Sequence, residues 1–103
     1  MDSCSVGVAA QINGKEQPNQ LYVHGSVLVY SAIDEVAVLE AVPQGINPKI
    51  LLLDVSVKRA AGPMKGTCRP FLFTKDVEGR QYDQVTVRFE DGTTSTAVVS
   101  FLG

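Results

Sequence analysis

The alternation in "QVTVRF", followed by "EDG" and a second alternating run, constrains this chain more than any other feature. Val85, Val87 and Phe89 take every second position, with Gln84, Thr86, Arg88 and Glu90 between them. A period of two puts the apolar three on one face of a half-buried strand. The next run sets the register. With Asp91-Gly92 as a two-residue loop, Phe89 would oppose Thr94 and Val87 would oppose Thr96, so an apolar face would meet a polar one. With a three-residue loop, Glu90-Asp91-Gly92, Phe89 meets Thr93, Val87 meets Ser95 and Val85 meets Ala97, and Val99 and Phe101 continue that face. A one-residue slip turns every side chain over, so burial selects the three-residue hairpin with Gly92 in the left-handed region.

The same period predicts strands over 6–12, 21–31, 36–42, Ile50–Lys58 and 67–74. Asn13-Gly14, Pro18-Asn19, Gly62-Pro63 and Gly79 punctuate them. One helical alternative exists, because Ser31 and Asp34 could form a capping box. Val36, Val38 and Val42 favour a strand there. At 103 residues the chain suits one domain over 1–103. Short, regularly spaced strands without intervening helices predict an all-β fold, a single antiparallel β-sandwich of about seven strands. Within "DVEGRQYDQVTV", Tyr82 follows a glycine-bearing connection and opens the penultimate strand. It resembles the tyrosine corner of immunoglobulin-like sandwiches, which implies an immunoglobulin-like or fibronectin-like architecture. The chain has no tryptophan and no cysteine two residues after Tyr82, so it departs from the antibody-type pattern.

Charge narrows the function classes. The net charge is −2 and the nine Lys and Arg are scattered, which gives no footprint for nucleic acid. No window approaches the roughly 18 consecutive apolar residues of a spanning helix, so no membrane insertion is expected. Met1 is followed by Asp2, Ser3 and Cys4, with no basic region or apolar core of a signal peptide. Cys4 and Cys68 suit one disulfide as well as two free thiols. A bridge across some 64 residues would stabilise the fold by about 4 kcal/mol. That pairing and the sandwich lean toward an extracytoplasmic setting, periplasmic or secreted with any signal removed.

Candidate chemistry is sparse. His24 is the only histidine, so a metal would need carboxylate and cysteine ligands as well. A Cys–His hydrolase would need Cys4 or Cys68 beside His24, with Asn13 or Asp54 to orient it. Neither cysteine stands in a known nucleophile signature. The acidic pairs Asp34-Glu35 and Glu90-Asp91 fall where turns use carboxylates as caps. No catalytic, cofactor or metal residue is assigned.

The informative anomaly is an apolar surplus. In "ILLLDVSV", Leu51, Leu53, Val55 and Val57 form one face, yet Ile50 and Leu52 lie on the other. Leu28 and Tyr30 break the outer face of their strand similarly, since Val23, Val27 and Val29 take the core face. Such residues need cover from a loop, a terminus or another molecule. Before them, "VPQGINP" reads as a stiff corner whose Pro43, Gly45 and Pro48 limit chain entropy, with the apolar Ile46 closing the end of the sandwich. Pro70 in "CRPFLFT" cannot donate to a ladder and marks an edge strand. The expectation is a non-catalytic interaction or accessory module. Leu28, Tyr30, Ile46, Ile50 and Leu52 would face a partner protein or an oligomer mate through an apolar outer face or strand edge. Two alternatives stay open, a small hydrolase or metal-dependent enzyme using His24, and a structural domain of a larger envelope or secreted protein.

Overall fold

The computed structural model describes residues 8–30, 34–58, 66–90 and 92–103. Its elements are all strands: β1 (Ala9–Asn13), β2 (Asn19–Val29), β3 (Glu35–Glu40), β4 (Ile50–Lys58), β5 (Thr67–Val77), β6 (Gln84–Arg88) and β7 (Thr94–Leu102). Segment 35–40, where a helix cap was conceivable, is a strand. The all-β class with seven strands agrees with the period-two reading.

The antiparallel sandwich does not. The seven strands form one mixed sheet in the order β3-β4-β6-β7-β1-β2-β5. β1 runs parallel to β7 and β4 parallel to β6, while the other pairings are antiparallel. The physical reason lies in β7. Its residues 94–98 pair with β6 and 99–102 with β1, and Val99 N–H donates to Asp83 O at 2.8 Å where the partner changes. A nine-residue strand, about 30 Å long at 3.3 Å per residue, can serve both neighbours. It therefore joins two half-sheets that a sandwich would hold apart, and the sheet curls into a nearly closed barrel. The immunoglobulin-like expectation is corrected on the same ground, because the β4–β6 pair is parallel where that fold is antiparallel throughout each sheet. Tyr82 is partly buried and packs against the core.

The hairpin forms as its pattern requires. Val85 pairs with Ala97 and Val87 with Ser95. Phe89 N–H donates to Thr93 O at 2.9 Å, Gly92 N–H donates to Phe89 O at 3.0 Å, and Gly92 sits at φ +91°. No atom lies within 4 Å of a Cβ built there, so a side chain would cost only backbone strain. Gly92→Ala is expected to destabilise by about 1–2 kcal/mol; an unchanged denaturation midpoint would contradict this.

The core is filled by inward positions of both half-sheets: Ile12, Leu21 and Val23 on one side, and Leu51, Leu53, Val85 and Val87 on the other, all fully buried. Phe71 of β5 lies opposite Gly25 of β2, whose missing Cβ makes room for the ring, since a Cβ there would stand 3.0 Å from Phe71 Cζ.

The two edge strands, β3 and β5, close the barrel without a ladder between them. Arg69 Nη1 donates to Asp34 O, and Lys75 Nζ donates to Glu40 Oε2 at 2.9 Å. Both bridges join residues 35 apart in sequence, so the edges run side by side in constant register. Between the bridges lies a groove of about 450 Å³, lined by Val36, Val38, Pro70, Phe71 and Leu72 among others. The edges bring Cα atoms within 8 Å of each other, narrower than the roughly 9.6 Å needed by an inserted strand paired on both sides. Pro70 thus lies on an edge strand, and that edge faces β3. The hydrogen bond to Glu40 holds the Lys75 ammonium above the ordinary lysine range. A raised value means the bridge contributes at neutral pH and is lost only as pH rises through it.

Candidate interaction surface

The structure splits the five surface candidates into two groups. Leu28 and Tyr30 lie at the end of β2 next to Gly66, where Leu28 Cδ1 stands 2.9 Å and Tyr30 Cε1 3.2 Å from a Cβ built on that glycine. Leu28 is half-buried, and Tyr30 is 38% exposed. Ile50 and Leu52 lie on the outer side of β4, beside Gln84 and Thr86 of β6. The chain direction places Ile50 at the opposite end of the barrel from Tyr30. No single patch contains all five.

The group on β4 belongs to a corner built by the β3–β4 connector. β3 ends at Glu40, so Val42 leaves the strand expected for it, and the Val42–Pro43 peptide is cis. The side chain of Gln44 then takes the place of a missing backbone rung. Its Oε1 accepts from Leu52 N–H at 2.9 Å, and its Nε2 donates to Leu52 O at 2.9 Å and to Ala41 O at 2.7 Å. At the far side, Asn47 Oδ1 accepts from Lys49 N–H at 2.9 Å. Lys49 Nζ donates to Arg80 O at 2.9 Å, and Lys49 O accepts from Asp83 N–H at 2.8 Å. The connector is therefore tied to β4 at one end and to the β5–β6 connection at the other.

Those ties give Leu52 its cover. Leu52 Cδ1 lies 3.4 Å from a Cβ built on Gly45, and both Ile50 and Leu52 are half-buried. They leave two other apolar side chains bare: Val42 is 92% and Ile46 104% exposed. Ile46 does not close the end of the barrel; it points into solvent from the tip of a braced loop. Leu39, outward on β3, is also 64% exposed. The alternation in "EVAVLE" sets Leu39 opposite Val36 and Val38, and this signal in the sequence could have revealed it.

The remaining candidates are more ordinary. His24 is exposed on the outer face of β2, beside Ala9 and Leu72. Cys68 lies four residues from Leu72 along β5, about 13 Å away. It is disulfide-bonded, so it offers no thiolate to His24; Cys4, the other cysteine of the chain, lies outside the described residues. Asp54 sits on the other half-sheet, where Arg88 grips both its oxygens at 2.7 and 3.0 Å and holds its carboxyl below the usual range. Asp34 is buried, and its Oδ2 accepts from Tyr30 N–H at 2.9 Å, a capping role. Asp91 lies outside the described residues. Among the described residues, no three His, Cys, Asp or Glu side chains gather into a set that could hold a metal ion. No helix among them is long and apolar enough to cross a membrane. No protein-family model, curated protein or solved structure matches this chain.

Proposed function

We propose that this protein is a non-catalytic interaction module that engages another protein through the corner formed by the β3–β4 connector. One observation carries the reading: a loop braced by side-chain and backbone hydrogen bonds keeps Val42 and Ile46 almost wholly in water. Folding gains nothing from either side chain there, and turns ordinarily select polar residues. The loop carries one charge, Lys49, whose ammonium is already tied to Arg80 O. The tip from Val42 to Pro48 carries no charge, so it can enter an apolar cleft without burying one. The matching partner is a protein with a concave apolar pocket, and bracing lowers the entropy lost on docking.

Burying a Val and an Ile side chain contributes about 3 kcal/mol or more together. Val42→Ser/Ile46→Ser is then expected to weaken partner binding roughly a hundredfold, with thermal stability within about 0.5 kcal/mol of the parent. The check compares proteins recovered from a native extract by the parent and by the double variant, followed by affinity measurement with the purified partner. Identical recovery by both would remove the corner from the interaction. Gln44→Ala separates bracing from contact, because it leaves both apolar side chains in place while unfastening the loop from Leu52.

A further inference from the structure

The end of β2 is paired on one side only among the described residues. β5 follows β2 as far as Val29, but β1 stops at the pair Ala9 and His24. Val8 still keeps the register: it is half-buried against the core, and its Cγ2 stands 3.1 Å from a Cβ built on Gly25, the next β2 residue. Farther along, the outward residues Ser26 and Leu28 pair with Pro70 and Cys68 of β5. Both are half-buried, whereas His24, with a strand on each side, is exposed. Burial there points to cover from outside the two ladders.

A covalent bond selects that cover. Cys68 is disulfide-bonded and Cys4 is the only other cysteine, so the bridge joins the two. Cys68 is exposed and shares the outer face with Leu28, its partner across the ladder, which sets the bridge outside the barrel wall. A straight extension of β1 would bring Cys4 opposite Val29, two strand spacings from Cys68 and about 10 Å away even across the curved wall. A disulfide joins Cα atoms no more than about 7 Å apart. The chain must therefore leave the line of β1 and lean across β2. Its length suffices: Ala9 lies about 16 Å from Cys68, four residues along and two strands over, and five residues reach about 17 Å when extended.

We propose that residues 4–7, outside the described residues, form a strap across the outer face of β2 over Ser26 and Leu28, which the Cys4–Cys68 bridge holds and a dithiol releases. In the release, one thiol of the reductant attacks a bridge sulfur and the second displaces it from the mixed disulfide. Two electrons and two protons pass to Cys4 and Cys68, and the reductant leaves as a disulfide. Cys68 stands exposed on an edge strand, open to that attack. Release lays bare Leu28 beside Tyr30, itself 38% exposed, so the apolar end of β2 responds to the redox state of its surroundings. The strap lies at the end of the barrel opposite Ile50, so its failure leaves the reading of the 42–49 loop untouched.

Nuclear Overhauser contacts in the full chain test the proposal. In the non-reduced protein, the Leu28 methyl protons are expected to show cross-peaks to residues 5–7. After treatment with dithiothreitol, with reduction confirmed by intact mass, those cross-peaks are expected to vanish while the contacts between Leu53 and Val87 in the core persist. Cys4→Ser/Cys68→Ser should match the reduced protein without any reductant. Cross-peaks that set Val6 beside Val27 in line with β1, or none between residues 5–7 and Leu28, overturn the strap. Leu28 contacts that survive reduction overturn the release, as does loss of the core contacts on reduction, which would make the bridge a brace of the whole barrel.

Discussion

Phe71→Ala is expected to lower stability by about 3–5 kcal/mol, the range for removing a buried phenylalanine ring. Phe71 is 8% exposed although it lies on an edge strand. Its ring fills the space that Gly25 leaves on β2 and forms part of the wall of the β3–β5 groove. Since no ladder joins β3 to β5, packing carries much of the closure, with the Arg69 and Lys75 bridges at the two ends. A partly exposed ion pair such as Lys75–Glu40 and a single hydrogen bond from Arg69 to a backbone carbonyl each contribute only about 1 kcal/mol, so the ring outweighs them. Chemical denaturation checks the size of the effect, and each kcal/mol corresponds to roughly 4–8 °C in Tm for a domain near this length. A loss under about 1 kcal/mol would show that the seam does not depend on the ring. The pair also predicts a coupling. Gly25→Ala crowds the ring at 3.0 Å in the parent, and it should be better tolerated once Phe71 is alanine.

The second large effect distinguishes adjacent leucines. Leu53→Ala is expected to destabilise by about 2–5 kcal/mol, because Leu53 is fully buried and pairs with Val87 in the centre of the barrel. Leu52→Ala should cost much less. Its side chain is half-buried under the connector, and the bonds to Gln44 use Leu52 backbone atoms that alanine keeps. Urea midpoints for the two variants provide the comparison. Equal losses would mean that the connector is as much a part of the core as β6.

Most of the local structure could be read from side-chain period. Ile50–Lys58 spans the strand the alternation predicts, and the hairpin register follows from matching Val85 and Val87 to Ala97 and Ser95. Both depend on residues close in sequence whose faces are set by a period of two. Outward placement of His24, Ile50 and Leu52 followed for the same reason. The corner was only half legible. Ile46 stood out as apolar within a turn, but its exposure depends on Gln44 reaching Leu52 and on Lys49 reaching Arg80, contacts that alternation does not encode.

The sequence by itself determined where the seven strands lie to within a few residues at their ends, which face of the strands is buried, and that Gly92 turns the final hairpin. These follow from steric and solvation preferences acting over a few residues. Only the tertiary structure decided which strands become neighbours. That β7 changes partner from β6 to β1, that β4 lies parallel to β6, and that β3 faces β5 across a seam of side chains all join residues far apart in the chain. An amphipathic strand has the same alternating pattern in a sandwich and in a barrel, so the choice rests on how all seven fill one shared core. The same closure moved Leu28 and Ile50 to opposite ends, although each was already marked as outward by its own strand.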